Sequence, residues 1–171
     1  AALIAGLCSV GSDVKPVGDI PTPAVAYLTR REKADAGIVV SASHNPYEHN
    51  GIKVFNSQGY KLPDELEERV EEKILSAEPM DFKTRGELGR RHHGMKRLKQ
   101  NYIDFVASTI DSDLSGLRIL VDCANGAASA TAPELFGRFK AHTVFLHRTP
   151  DGVNINDRCG STHLEDLAAQ V

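Results

Sequence analysis

The sequence predicts an α/β protein made of two tandem layered α/β units with mixed, mainly parallel sheets, neither unit complete. Three observations predict it. Short apolar runs of strand length, Gly37–Val40 (GIVV) and Leu117–Val121, recur along the 171 residues. Helical segments with a four-residue apolar repeat alternate with these runs. Glycine and proline clusters separate the two kinds of segment.

The elements follow in order. Ala1–Cys8 (AALIAGLC) reads as the last turns of a helix, ended by Gly6 or Gly11. It is too short and lacks the basic lead of a secretory signal. Val14–Val17 is a short strand candidate, and Pro21 and Pro23 interrupt it before a helix over Ala24–Arg31. Gly37–Val40 is apolar throughout, which suits a strand buried on both faces. A polar, turn-rich stretch over Ser41–Gly51 leads to a return strand, Ile52–Phe55, and a turn at Asn56–Gly59. Leu66, Val70 and Ile74 form one stripe on a helix over Glu65–Leu75, with Pro63 at its entry and acidic residues near its positive end.

Residues 76–95 have no period and contain Pro79, Gly86, Gly89 and Gly94, so they read as a linker. The division falls near residue 95, giving units 1–95 and 96–171. A helix over Arg97–Ile110 opens the second unit. The strand Leu117–Val121, a helical segment around Pro133, the strand His142–Leu146 and a loop over Pro150–Gly160 follow. A final helix starts at Thr162 or His163, with Ser161 or Thr162 as its capping hydroxyl. The last residues, LEDLAAQV, read as the inside of a helix, so both ends are expected to continue in a longer protein.

Composition narrows the function classes. A net charge of −3 gives no basic excess for nucleic acid or an anionic membrane surface. No apolar run has the length of a membrane span. Cys8, Cys123 and Cys159 are odd in number and far apart, so they make no disulfide framework. That usage fits a reducing compartment, the cytoplasm. No G-x-G-x-x-G or P-loop supports nucleotide binding.

The chemistry concentrates in GIVVSASHNP (37–46) followed by NGIK (50–53). A strand delivers a sharp polar loop to the end of a sheet, where open α/β folds bind ligands. Asn45 and Pro46 have the types that start a helical turn, and backbone N–H groups there favour an anion. Strand alternation sends Ile52 and Val54 to one face and Lys53 to the other. A hydroxyl (Ser43), an imidazole (His44) and an ammonium (Lys53) thus converge, as phosphoryl transfer needs for the charge on the moving group. Each residue also has a plain reading. Ser43 alone would be a turn serine, His44 a turn-stabilising imidazole and Lys53 a solvated strand lysine. Asn45 and Asn50 read as loop architects. His92-His93 reads as a solvated linker, Asp122 with Asn125-Gly126 as a tight βα turn, and Cys159–His163 as too few ligand types for a metal site.

The loop and its downstream spacing resemble the active-site loop of the α-D-phosphohexomutase family, and the resemblance runs from about Val14 onward. It implies that Ser43, not Ser41, is the phosphorylated serine. It further implies a proton-transfer or charge role for Lys53, with His44 beside it, and Mg2+ held in part through the phosphate on Ser43. Within the family, VDCANGAAS (121–129), PDGVNIN (150–156) and CGSTH (159–163) resemble the branch that acts on glucosamine phosphate. The implied activity is interconversion of glucosamine 6-phosphate and glucosamine 1-phosphate, with glucosamine or glucose 1,6-bisphosphate as intermediate and activator. A phosphomannomutase or phosphoglucomutase activity is the alternative within the family. A non-catalytic sugar-phosphate binding module is the alternative outside it. The family's acidic metal loop and its later sugar and phosphate loops are not in these residues. The chain by itself is therefore expected to be inactive, with exposed apolar surface that favours a homodimer or strand exchange.

Overall fold

A computed structural model describes residues 1–76 and 78–171. The first element is α1 (Ala2–Ser9). Its stop is a Schellman pattern: Gly11 has φ 89°, its N–H reaches Cys8 O, and Ser12 N–H reaches Leu7 O. Gly11, and not Gly6, therefore ends the helix. The Val14–Val17 strand reduces to one bridge, Val14 with Arg91, because Pro16 has no N–H to extend a ladder.

Helix α2 (Thr22–Arg31) starts at Pro21 with a second proline in its first turn. Its buried face, Ala24, Val25 and Leu28, packs with Ile20 and Leu98 into the main core. Strands β1 (Ala36–Ser41) and β2 (Gly51–Asn56) form an antiparallel pair, with Val39 opposite Lys53 and Ser41 opposite Gly51. Helix α2 lies against this pair. Gly37 permits the approach, since a Cβ there would sit 2.0 Å from Thr29 Oγ1. The opposite face is open: Val40 is 57% exposed and Ile52 65%. The apolar run at 37–40 is thus covered on one face, not both. After the Asn56–Gly59 turn comes α3 (Asp64–Leu75), with Asp64, Glu65 and Glu67 in its first turn. Its apolar stripe exists but lies in solvent, with Ile74 72% exposed.

The expected linker is exposed but tethered. Gly89 N–H reaches Cys8 O, Arg90 N–H reaches Asp13 Oδ1, and His92 Nε2 lies 3.0 Å from Asp13 Oδ2. Helix α4 (Met95–Ala107) then packs on α2. Tyr27 stacks on Phe105 at 4.1 Å, and Arg97 binds Glu32 through both terminal nitrogens.

Further on, β3 (Arg118–Asp122) and β4 (His142–Leu146) run parallel, Val121 opposite Phe145. They are joined through a tight 3-10 turn at Ala127–Ala130 and α5 (Ala132–Phe136). The sheets are thus mixed, one antiparallel and one parallel pair. The antiparallel pair follows from its short connection, since a loop of this length cannot carry a parallel crossover. The last helix, α6 (Glu165–Ala169), starts after Leu164 with no side-chain cap. Neither Ser161 nor Thr162 caps it; they lie in the 3-10 turn Gly160–Thr162. Among the described residues no helix is long and apolar enough to cross a membrane.

Candidate functional site

The loop between β1 and β2 is fixed at its root and open at its tip. Ala42 is buried, while residues 43–50 are exposed. Ser43 takes the left-handed conformation, φ 59°, which costs an L-residue roughly 1–2 kcal/mol. Ser41 Oγ accepts the Ser43 N–H at 3.0 Å, and Ala42 O accepts the Asn45 N–H at 3.0 Å. These two backbone donors are therefore used inside the loop and are not free for an anion. No helical turn starts at Asn45. Two successive turns form instead, the second closed by His49 N–H to Pro46 O and supported by Asn50 Nδ2 to Tyr47 O at 2.7 Å. Asn50 is thus bound to the loop's own backbone.

Lys53 is exposed, and the register places it on the face of Val39 and Ser41. Ser41 and Lys53 are diagonal neighbours across the pair, a spacing of roughly 7–8 Å. A four-carbon ammonium arm spans that distance readily. The structure thus brings Ser41, the residue that holds Ser43, and Lys53 to one side of one hairpin. His44 lies at the exposed tip, one residue beyond Ser43.

A third partner comes from more than 100 residues further along the chain. Asn156 Nδ2 donates to Ser43 O at 3.0 Å and to Asn45 O at 2.8 Å. Nothing in the spacing along the chain links residue 156 to residue 43. The only sequence signal is its place in the Pro150–Gly160 loop.

Behind Asn156 lies a compact polar cluster. Asp122 Oδ1 accepts Ala124 N–H and its Oδ2 accepts Gly160 N–H, both at 2.8 Å. Burial pushes the Asp122 carboxyl up, but these N–H groups and the nearby His147 outweigh it and hold the group below the ordinary carboxylate range. His147 lies 3.1 Å from Asp122 Oδ1 and 3.0 Å from Asp166 Oδ2. Asp122, His147 and Cys159 offer ligand atoms within 4.8 Å of one another. The sequence reading placed Asp122 in a tight βα turn, which holds: Ala124 and Asn125 both have positive φ. It did not foresee His147.

Magnesium does not fit that cluster. It wants an oxygen shell, whereas this set is one carboxylate, one imidazole and one thiol. Burial, with the charge of Asp122 next, also pushes the Cys159 thiol up. At the loop, Ser43 Oγ is a single oxygen donor, and no group of three or more acidic, histidine or cysteine ligands surrounds it among the described residues. The residues present do not complete a magnesium site.

Residues 1–80 match the family model for phosphoglucomutase/phosphomannomutase, alpha/beta/alpha domain I. A phosphoglucosamine mutase of Desulforamulus reducens is 52% identical over 172 residues, covering 100% of this chain. The chain spans 38% of that relative's length. A solved phosphoglucomutase/phosphomannomutase family protein of Burkholderia thailandensis superposes with a TM-score of 0.77 at 28% identity, over 98% of this chain and 36% of its own. An Aspergillus fumigatus N-acetylphosphoglucosamine mutase, solved with GlcNAc-6P and magnesium, shares the fold at a TM-score of 0.56 and 18% identity, over 86% of this chain and 41% of its own. The loop at 37–53, the paired strands that carry it and these likenesses place the chain in the phosphohexomutase family.

Proposed function

We propose that this chain supplies the phosphate-carrying serine of a mutase that interconverts glucosamine 6-phosphate and glucosamine 1-phosphate. The observation that carries the reading is Ser43: exposed at a hairpin tip, in a left-handed backbone, and held by contacts from both units. Strain of that kind persists where the surroundings over-determine a functional conformation. The curated relatives at about half identity act on glucosamine phosphate by name, which favours this sugar over mannose or glucose phosphates.

In this reading the phosphate on Ser43 Oγ passes to the free hydroxyl of the sugar phosphate. The P–O bond to Ser43 breaks, a P–O bond to the sugar forms, and the hydroxyl proton leaves. The product of this half is a 1,6-bisphosphate. Its other phosphate then returns to Ser43 Oγ, releasing the isomer. Lys53 offsets charge on the transferring oxygens and takes or returns the proton, and His44 donates a hydrogen bond at the tip. Asn45 and Asn50 keep the loop in shape. Mg2+, present with the Aspergillus relative, would be held in part through the phosphate on Ser43 and would offset charge on the transferring group. The division into units 1–95 and 96–171 stands as part of the proposal, with α4 as the wall between them. The product feeds amino-sugar and peptidoglycan precursor synthesis in the cytoplasm.

Ser43→Ala in the whole protein is expected to abolish turnover of glucosamine 6-phosphate with the fold intact by circular dichroism. Near-normal turnover would remove Ser43 from the role. A panel of glucosamine, mannose and glucose 6-phosphates tests the sugar, and a preference for either of the others would correct it. The isolated 171-residue chain is expected to show no mutase turnover, because parts of a catalytic set acting alone do not contribute additively. Measurable isomerisation by the purified chain would contradict this.

A further inference from the structure

Asn156 belongs to the second unit, yet it makes the polar contacts that join that unit to the Ser43 loop. Its side-chain amide has two N–H protons. One goes to Ser43 O and the other to Asn45 O, across sequence separations of 113 and 111 residues. Those two carbonyls bracket His44. Fixing both orients the peptide planes on either side of the tip, and with them the left-handed Ser43. The two contacts the loop makes for itself, Ser41 Oγ to Ser43 N–H and Ala42 O to Asn45 N–H, hold the inner edge of the same residues. Ser43 and Asn45 are thereby gripped at both N–H and C=O, in a residue pair that is itself exposed.

The amide that grips them is itself immobilised. Asn156 N–H donates to Ala124 O at 2.9 Å, and Asn156 takes φ 58°, a conformation asparagine tolerates better than most residues. Ala124 and Gly160 are both tied to Asp122 at the end of β3. Gly160 packs so closely that a Cβ there would lie 2.8 Å from Ala124 Cβ and 3.3 Å from Asn156 Oδ1. A rigid path thus runs from the end of β3 through Ala124 and Gly160 to Asn156 and on to Ser43.

We propose that Asn156 is a positioning residue for phosphoryl transfer, holding the Ser43 loop in the one conformation that presents its hydroxyl to the sugar phosphate. The proposal rests on Ser43 being the phosphate carrier. Asn156 does not touch substrate; it acts through the Ser43 and Asn45 carbonyls. Misplacing a reacting group by about 1 Å can cost on the order of 100-fold in rate. The loss falls on transfer, because Asn156 acts on the loop carbonyls.

The test uses the whole protein and four variants. Asn156→Gly removes the amide while accepting the positive φ. Asn156→Asp keeps the shape but sets an acceptor against two carbonyls. Asn154→Ala loosens the same loop without touching residue 43, since among the described residues the Asn154 side chain bonds Thr149 O and Asp151 N–H. Ser43→Ala reports on the underlying reading. The measurements are kcat and KM for glucosamine 6-phosphate, the rate of Ser43 phosphorylation by glucose 1,6-bisphosphate from intact mass, and the melting midpoint.

Both Asn156 variants are expected to lose roughly 10- to 100-fold in kcat and in phosphorylation rate. KM should stay within about twofold, and Asn154→Ala should retain the parent's kcat. An unchanged kcat in Asn156→Gly and Asn156→Asp, with Ser43→Ala inactive, overturns the positioning role alone. An equal kcat loss in Asn154→Ala also overturns it, because general loosening then explains the effect. Turnover retained by Ser43→Ala overturns both the carrier reading and this one.

Discussion

Ser43 carries a φ that most serines avoid, and the side chains around it explain why it stays there. Two backbone N–H groups and two carbonyls of its turn are satisfied by partners with fixed positions. Each such bond adds about 0.5–1.5 kcal/mol, enough together to offset the cost of the left-handed well. Contacts without a side chain matter equally at Gly89. A Cβ there would stand 2.0 Å from Ser12 O, inside any allowed contact, and the neighbour is backbone. Gly89→Ala is expected to destabilise the chain by roughly 1–3 kcal/mol, read from the urea midpoint. An unchanged midpoint would mean that the tether between residues 8–14 and 83–92 is not held as described.

At the scale of elements, α4 packs against both α2 and α5. Leu98 is 2% exposed and sits in the core of α2, and Ile103 is as deeply buried one turn and a half further on. Leu98→Ala should cost about 2–5 kcal/mol in chemical denaturation, whereas Ile74→Ala on the exposed stripe of α3 should cost little. A comparable loss at both sites would contradict the burial difference. The end of β3 adds a pH-dependent contribution. The folded Asp122 carboxyl titrates below its ordinary 3.8, so its stabilisation is present above that pH and is lost as pH falls through the folded value. Amide protection at Ala124 and Gly160, measured against the intrinsic exchange rate, should therefore fall as pH drops through the lowered Asp122 value, and Asp122→Asn should abolish that dependence. Protection at Gly160 that stays constant through the acid range would refute this.

Over the whole molecule, apolar surface remains open on two sides. Val40 and Ile52 face outward from the β1–β2 pair, and Leu66, Val70 and Ile74 do so along α3. Patches of this kind seek cover. The isolated chain is expected to associate with itself as concentration rises, by face-to-face docking or strand exchange. Static light scattering that reports a monomer mass at all concentrations would count against it.

The residues alone determined a good deal. Local periodicity and turn chemistry placed β1, β2, β4, α2 and α3 within a residue or two, because a strand of β-branched residues and a four-residue apolar repeat are local properties. The SASHNP loop and Lys53 were legible for the same reason: a hairpin brings close in space what is close in sequence. Tertiary structure alone decided which faces are covered, which is why a run that reads as doubly buried has one open side. It also turned the apparent linker at 83–92 into a tethered segment through Asp13. Above all it set Asn156 on the Ser43 loop, since a contact across 113 residues depends on how distant parts of the chain pack, and no local pattern encodes that distance.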